Sequence, residues 1–159
     1  QKKECIMNGI EKSPETHLVR GKNMDDGKVR ELLAMIREKD TYAHKLGMEI
    51  LEAADGRSKV TMPLDEGTAN ALGNVHGGAI FSLADMAFAA ASNSEGILSV
   101  GIQANIHYMA PCPSQGRLYA TAEKVSESRR LAYFHIKVFT PEDKLIAACQ
   151  MMVYRMRKE

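Results

Sequence analysis

This 159-residue sequence lacks a charge of one sign: 21 Lys and Arg stand against 20 Asp and Glu, a formal net charge of +1. A near-neutral chain offers no electrostatic footprint for nucleic acid or an anionic membrane, so neither is expected as a partner. No apolar run is long and charge-free enough to span a bilayer, because the longest is interrupted by Asp85. Gln1–Asp26 holds no apolar signal segment, although a sequence opening on Gln rather than Met leaves a removed leader open. Cysteine is scarce and unpatterned. Cys5, Cys112 and Cys149 are odd in number, far apart and form no Cys-x-x-Cys, which favours reduced thiols in a cytoplasmic protein over a disulfide framework. His17, His44, His76, His107 and His135 show no zinc-site spacing, so no metal is expected. The absence of a Gly-x-Ser-x-Gly elbow disfavours serine hydrolase chemistry. No internal repeat or low-complexity segment is visible.

A chain of this length suits one domain with a real core. Residues 1–26 read as a weakly ordered, flexible N-terminal tail of scattered Lys, Asn, Gly and Asp. Helical spacing begins after Asp25-Asp26, with Val29, Leu32, Leu33 and Ile36 marking a helix over 27–40. Packing is the preferred role for it, and a lid over a pocket the alternative. From Gly47 the period becomes two. Met48–Ala54 and Arg57–Leu64 flank Asp55-Gly56, a short-hairpin signal. Four further strands are expected at Leu98–Tyr108, Arg117–Val125, Leu131–Phe139 and Leu145–Tyr154, separated by turn-like segments. In the first, Val100, Ile102, Ala104, Ile106 and Tyr108 alternate with Gly101, Gln103, Asn105 and His107. Two strands, one helix and four strands imply an α+β fold, a mostly antiparallel sheet curved about a central helix, with the N-terminal helix added and 27–159 as one domain.

That central helix starts in Asn70-Ala71-Leu72-Gly73-Asn74-Val75-His76-Gly77-Gly78 and runs through Ala79–Ser94. Its apolar residues go almost all the way round, which predicts burial on most sides. Asp85 is its one charged side chain, and a carboxylate in apolar surroundings is costly unless paired or protonated. Two readings stand here. Asp85 is a structural acid, bonded to neighbouring backbone or hydroxyl groups or left facing solvent, or it is reactive. In the second reading the outward N–H groups of a glycine-bearing helix start hold a developing oxyanion, and the acid works beside it.

Asn70, His76-Gly77-Gly78 and Leu83-Ala84-Asp85, with Tyr108-Met109-Ala110-Pro111 closing the strand after the helix, resemble the signature of hotdog-fold acyl-CoA thioesterases of the phenylacetic acid degradation type. The resemblance covers roughly Tyr42 to Tyr154. It implies a hotdog fold and hydrolysis of an aryl- or medium-chain acyl-CoA, with coenzyme A as part of the substrate and no cofactor. It further implies a homodimer whose site uses both chains, and a dimer of dimers. Asp85 would be general base or nucleophile; Gly77, and secondarily Gly78, would meet the carbonyl oxygen; His76 and Asn70 would position water or the thioester. His76 as a helix-entry hydrogen bond and Asn70 as a loop brace are the plainer readings of the residues themselves. Some relatives carry Ser or Thr on the strand after the helix where this chain has Gly101, so that help is either absent or supplied by Gln103 or Ser82. Arg129, Arg130, Lys144, Arg155 and Arg157 are candidates for the phosphates of coenzyme A. The rival functions are a non-catalytic acyl-CoA-binding or sensing module and, less favoured, a hydroxyacyl thioester dehydratase.

Overall fold

The hairpin at Asp55-Gly56 forms as expected. In the computed structural model, which describes residues 26–156, both turn residues take positive φ, 51° and 75°. That backbone twist matches two adjoining strands, which is why Asp-Gly serves there. The strands are β1 (Glu49–Ala54) and β2 (Arg57–Leu64). β1 opens one residue later than the sequence suggests, because the Met48 N–H is used by the Ala43 carbonyl at 3.0 Å. The long helix, α3 (Gly77–Asn93), follows, and then β3 (Ser99–Tyr108), β4 (Gly116–Glu127), β5 (Leu131–Phe139) and β6 (Leu145–Arg155). They form one six-stranded sheet in the order β1-β2-β4-β5-β6-β3, every neighbouring pair antiparallel.

α3 lies on this sheet through small residues. Leu83, Ala84, Ala87, Ala90 and Ala91 are wholly buried, against Val60, Met62, Leu118, Ala120, Ile136 and Met151 from the strands. The alanines therefore serve close helix–sheet packing and leave no room for an acyl group along that face. Gly101 serves the same end: a Cβ there would stand 3.1 Å from Phe88 Cε1. A serine or threonine at this position would require the Phe88 ring to give way by a few tenths of an ångström.

β3 departs from the regular alternation expected of it. The register with β6 shifts between Gly101 and Gln103. As a result Gly101, against Phe88, and Ile106, packed on the core, turn the same way although five residues apart. A bulge exchanges the two faces midway. β3 is also an edge strand, and beyond Ser99 only Ile106 is better than exposed.

The helix expected over 27–40 is present, and a second short helix follows it. α1 (Asp26–Lys39) buries Val29, Leu32 and Leu33. α2 (Thr41–Lys45) restarts after Asp40, whose carboxylate accepts the Ala43 N–H at 2.9 Å as an N-cap. The tail expected over residues 1–26 lies outside the described residues except for Asp26, which opens α1. Beyond the far end of α3, Arg155 is only 2 % exposed and is bonded to Glu95 at 3.1 Å and to Glu127. Lys124 closes the same ring, reaching Glu127 at 2.8 Å as well as Glu95. Among the described residues no helix is long and apolar enough to cross a membrane.

Candidate active site

The loop before α3 is built to present the helix start. Asp65 caps a short 3-10 turn (Glu66–Thr68) and Thr68 returns a bond to Asp65 N–H. The Thr68 carbonyl then takes the His76 N–H at 2.7 Å. Asn70 closes the intervening turn: its Oδ1 accepts the N–H groups of Leu72 (2.9 Å) and Asn74 (3.2 Å). Asn70 thus braces the loop, as the plainer reading held, and its side-chain NH2 makes no hydrogen bond among the described residues.

His76 is the N-cap of α3, and its Nδ1 accepts the Gly78 N–H at 2.9 Å. An accepting Nδ1 places the proton of the neutral ring on Nε2, so the exposed imidazole edge is a donor. The bond also divides the two glycines. The Gly78 N–H is taken, whereas the Gly77 N–H makes no hydrogen bond among the described residues. One outward donor is left at the positive end of the helix dipole, and it belongs to Gly77.

Asp85 is not buried. The near-continuous apolar pattern of α3 predicts a buried acid, but the helix keeps one accessible stripe, formed by Gly78, Ser82, Asp85 and the half-buried Ala89. These positions recur at three and four residues, one helix face. On that stripe the carboxylate makes no hydrogen bond or ion pair among the described residues. Although open to solvent on one side, it is held above the ordinary aspartate range, first by the protein surface that removes its water and then by the negative charge of Asp40. Gly77 and Asp85 are eight residues apart, about 12 Å along the helix axis. The free amide and the acid of one chain are therefore too distant to address one carbonyl group.

The other expected residues divide. Ser82 is at the site, but its hydroxyl donates to the Gly78 carbonyl at 2.8 Å and not to Asp85. Gln103 is exposed on the β3 edge and its side chain makes no hydrogen bond among the described residues. Arg155 is withdrawn from phosphate binding by its burial between two glutamates. Arg130 is bonded to the Tyr154 hydroxyl at 2.6 Å, and Lys144 to the Pro111 carbonyl at 3.2 Å. Arg129 is exposed, and Arg157 lies outside the described residues. Among the described residues no group of three or more His, Cys, Asp or Glu is placed to hold a metal ion.

Two residues that the site reading passed over also stand here. Tyr42, on α2, has its hydroxyl 3.1 Å from Ser82 Oγ, and since the Ser82 proton goes to Gly78, the phenol is the donor. Tyr108 donates its hydroxyl to the Gly77 carbonyl at 3.1 Å. Tyr42 joins α2 to the site across 40 positions of sequence, and no local pattern marks such a contact.

The Thioesterase superfamily pattern matches residues 72–147, from the loop before α3 into β6. A putative esterase of Archaeoglobus fulgidus is 38% identical over 120 residues, spanning 76% of this chain and 78% of that protein. The acyl-coenzyme A thioesterase PaaI of Escherichia coli is 33% identical over 110 residues, 69% of this chain and 79% of its own. The solved structure of the E. coli PaaI protein from the phenylacetic acid degradation operon superposes with a TM-score of 0.77 at 29% identity, covering 82% of this chain and 95% of that one. With identity on this scale and the same helix-on-sheet architecture, the chain belongs to the thioesterase superfamily and has its hotdog fold.

Proposed function

We propose that this protein hydrolyses an aryl- or medium-chain acyl-CoA thioester to the free acid and CoA, at sites shared between two subunits. The observation that carries the reading is the unpaired Gly77 N–H at the start of α3, left free because His76 occupies its neighbour. The thioester oxygen binds at this amide, and the donor strengthens as the carbonyl becomes an oxyanion. His76 Nε2 offers a second proton close by. The acid comes from Asp85 of the partner subunit, since the chain's own Asp85 lies about 12 Å along the helix from its Gly77. Either Asp85 takes a proton from water, whose oxygen adds to the carbonyl carbon, or it adds directly to give a mixed anhydride that water then opens. In both routes the C–S bond breaks and the sulfur leaves as thiolate. The raised proton affinity of Asp85 suits a base better than an ordinary carboxylate would. The acyl-CoA thioesterase activity of the PaaI relative supports the reaction class, and its phenylacetic acid operon supports the aryl substrate.

The test is release of CoA thiol from a panel of acyl-CoAs. Asp85→Asn is expected to lose at least about a hundredfold in turnover while still binding substrate, the scale of removing a general base. A variant as fast as the parent removes Asp85 from the chemistry. An enoyl product without free thiol would point to a dehydratase instead.

A further inference from the structure

The two tyrosines at the start of α3 are held in an unusual way. Each has its polar end tied to the helix and its ring left open: Tyr42 is 59% exposed with its hydroxyl on Ser82, and Tyr108 is 54% exposed with its hydroxyl on the Gly77 carbonyl. The Tyr108 anchor is close, since a Cβ on Gly77 would lie 3.3 Å from the ring's Cζ and hydroxyl. The Tyr42 anchor is firm because α2 is pinned by the Asp40 cap and by Ala43, which is 2% exposed. A phenol fixed at its hydroxyl loses little further freedom on meeting a ligand, so its ring is pre-organised.

Their placement around the helix follows from its period. With Gly77 set at 0° and 100° per residue, Asp85 falls at about 80°, Gly78 at about 100° and Ser82 at about 140°. Tyr108 is attached at the first of these angles and Tyr42 at the last. The accessible stripe carrying Gly78 and Asp85 therefore runs between two tyrosine attachments. Both attach within the first two turns, beside the free Gly77 amide.

We infer that Tyr42 and Tyr108 are the side walls of the acyl site and set its selectivity, favouring a flat aromatic acyl group over a flexible straight chain. The inference rests on the thioesterase reading above. An aryl group bound with its carbonyl at Gly77 meets ring faces and edges that it contacts in stacked or edge-on geometry, whereas an alkyl chain gains only the area it covers. The walls come from α2 and from β3, the elements on either side of the helix start.

The test is a kinetic comparison of phenylacetyl-CoA with octanoyl-CoA in the full-length protein. Tyr42→Ala and Tyr108→Ala are each expected to lower the ratio of kcat/KM for phenylacetyl over octanoyl ester by about tenfold, the upper range of an aromatic pair. Tyr42→Phe and Tyr108→Phe keep the ring and lose the anchor, and should lower the ratio by a smaller factor, about threefold. An unchanged ratio in the alanine variants overturns the inference, and so does an equal loss on both esters, which is what mere disturbance of the helix start would give. Failure of the wild-type protein to release CoA from any ester overturns the thioesterase reading and this inference with it. Turnover that depends on Asp85 with a ratio indifferent to both tyrosines overturns this inference alone.

Discussion

Asp85 owes its character to its neighbours. Desolvation raises its proton affinity, and Asp40, fixed as the N-cap of α2, adds a like charge. A general base works only when deprotonated, so the acid limb of kcat/KM is expected above the ordinary aspartate range. Asp40→Asn keeps a capping side chain and removes the charge. Its acid limb should move to lower pH, with the rate on the plateau near that of the parent. A limb that stays in place would show that Asp40 is too well screened to act on Asp85. This interaction was invisible in the sequence, where Asp40 and Asp85 are 45 positions apart and Asp40 reads as the end of a helix. The parts of the site that were legible are those local in sequence: His76-Gly77-Gly78 specifies its own helix start, and Asp85 stands out as the one charge on an apolar helix. The exposure of Asp85, one of the alternatives its pattern leaves open, is not decided by sequence, because counting apolar residues around a helix does not reveal which stripe the fold leaves uncovered.

Elements were legible wherever one period ran unbroken. β5 matches its expected bounds, Leu131–Phe139, because its alternation is strict, and the Asp55-Gly56 turn encodes its own backbone geometry. The bulge in β3 was not, since it depends on β6, a partner distant in sequence, whereas the restart at α2 rests on the local cap from Asp40 to the Ala43 N–H. Like the bulge, the ring of Glu95, Lys124, Glu127 and Arg155 that ties the end of α3 to β4 and β6 depends on partners distant in sequence. Arg155→Ala leaves the largely buried Glu95 facing Lys124 alone, and should cost about 3–5 kcal/mol in urea unfolding. Glu127 adds a pH signature. Hydrogen bonding to Lys124 and the charges of Lys124 and Arg155 hold its carboxyl below the usual glutamate range. Its contribution is therefore complete above the unfolded-state pKa and is lost as the pH falls through the lower folded value. Glu127→Gln should flatten that part of the acid stability profile, and an unaltered profile would show that the bond to Lys124 carries no net stabilisation.

At the scale of the whole molecule, the proposed reaction calls for a second chain. Gly77 and Asp85 sit about 12 Å apart along a rigid rod. Beside them β3 offers an edge that is unpaired among the described residues, with Val100 and Ile102 exposed, a surface that strand pairing with a second copy would cover. The consequence is complementation between two inactive variants. Asp85→Asn removes the acid. Gly77→Val keeps the backbone, but its methyls crowd the Tyr108 ring and screen the free amide. Each variant alone should be inactive. In a two-fold dimer with random pairing half the molecules are mixed, and each mixed dimer has one site with both faults and one with neither. Co-expression should therefore restore roughly a quarter of wild-type activity. Recovery above background requires that the amide and the acid of a working site come from different chains. If the co-expressed pair is as inactive as either variant alone, while light scattering shows dimers, the two groups act within one chain and the shared site is wrong.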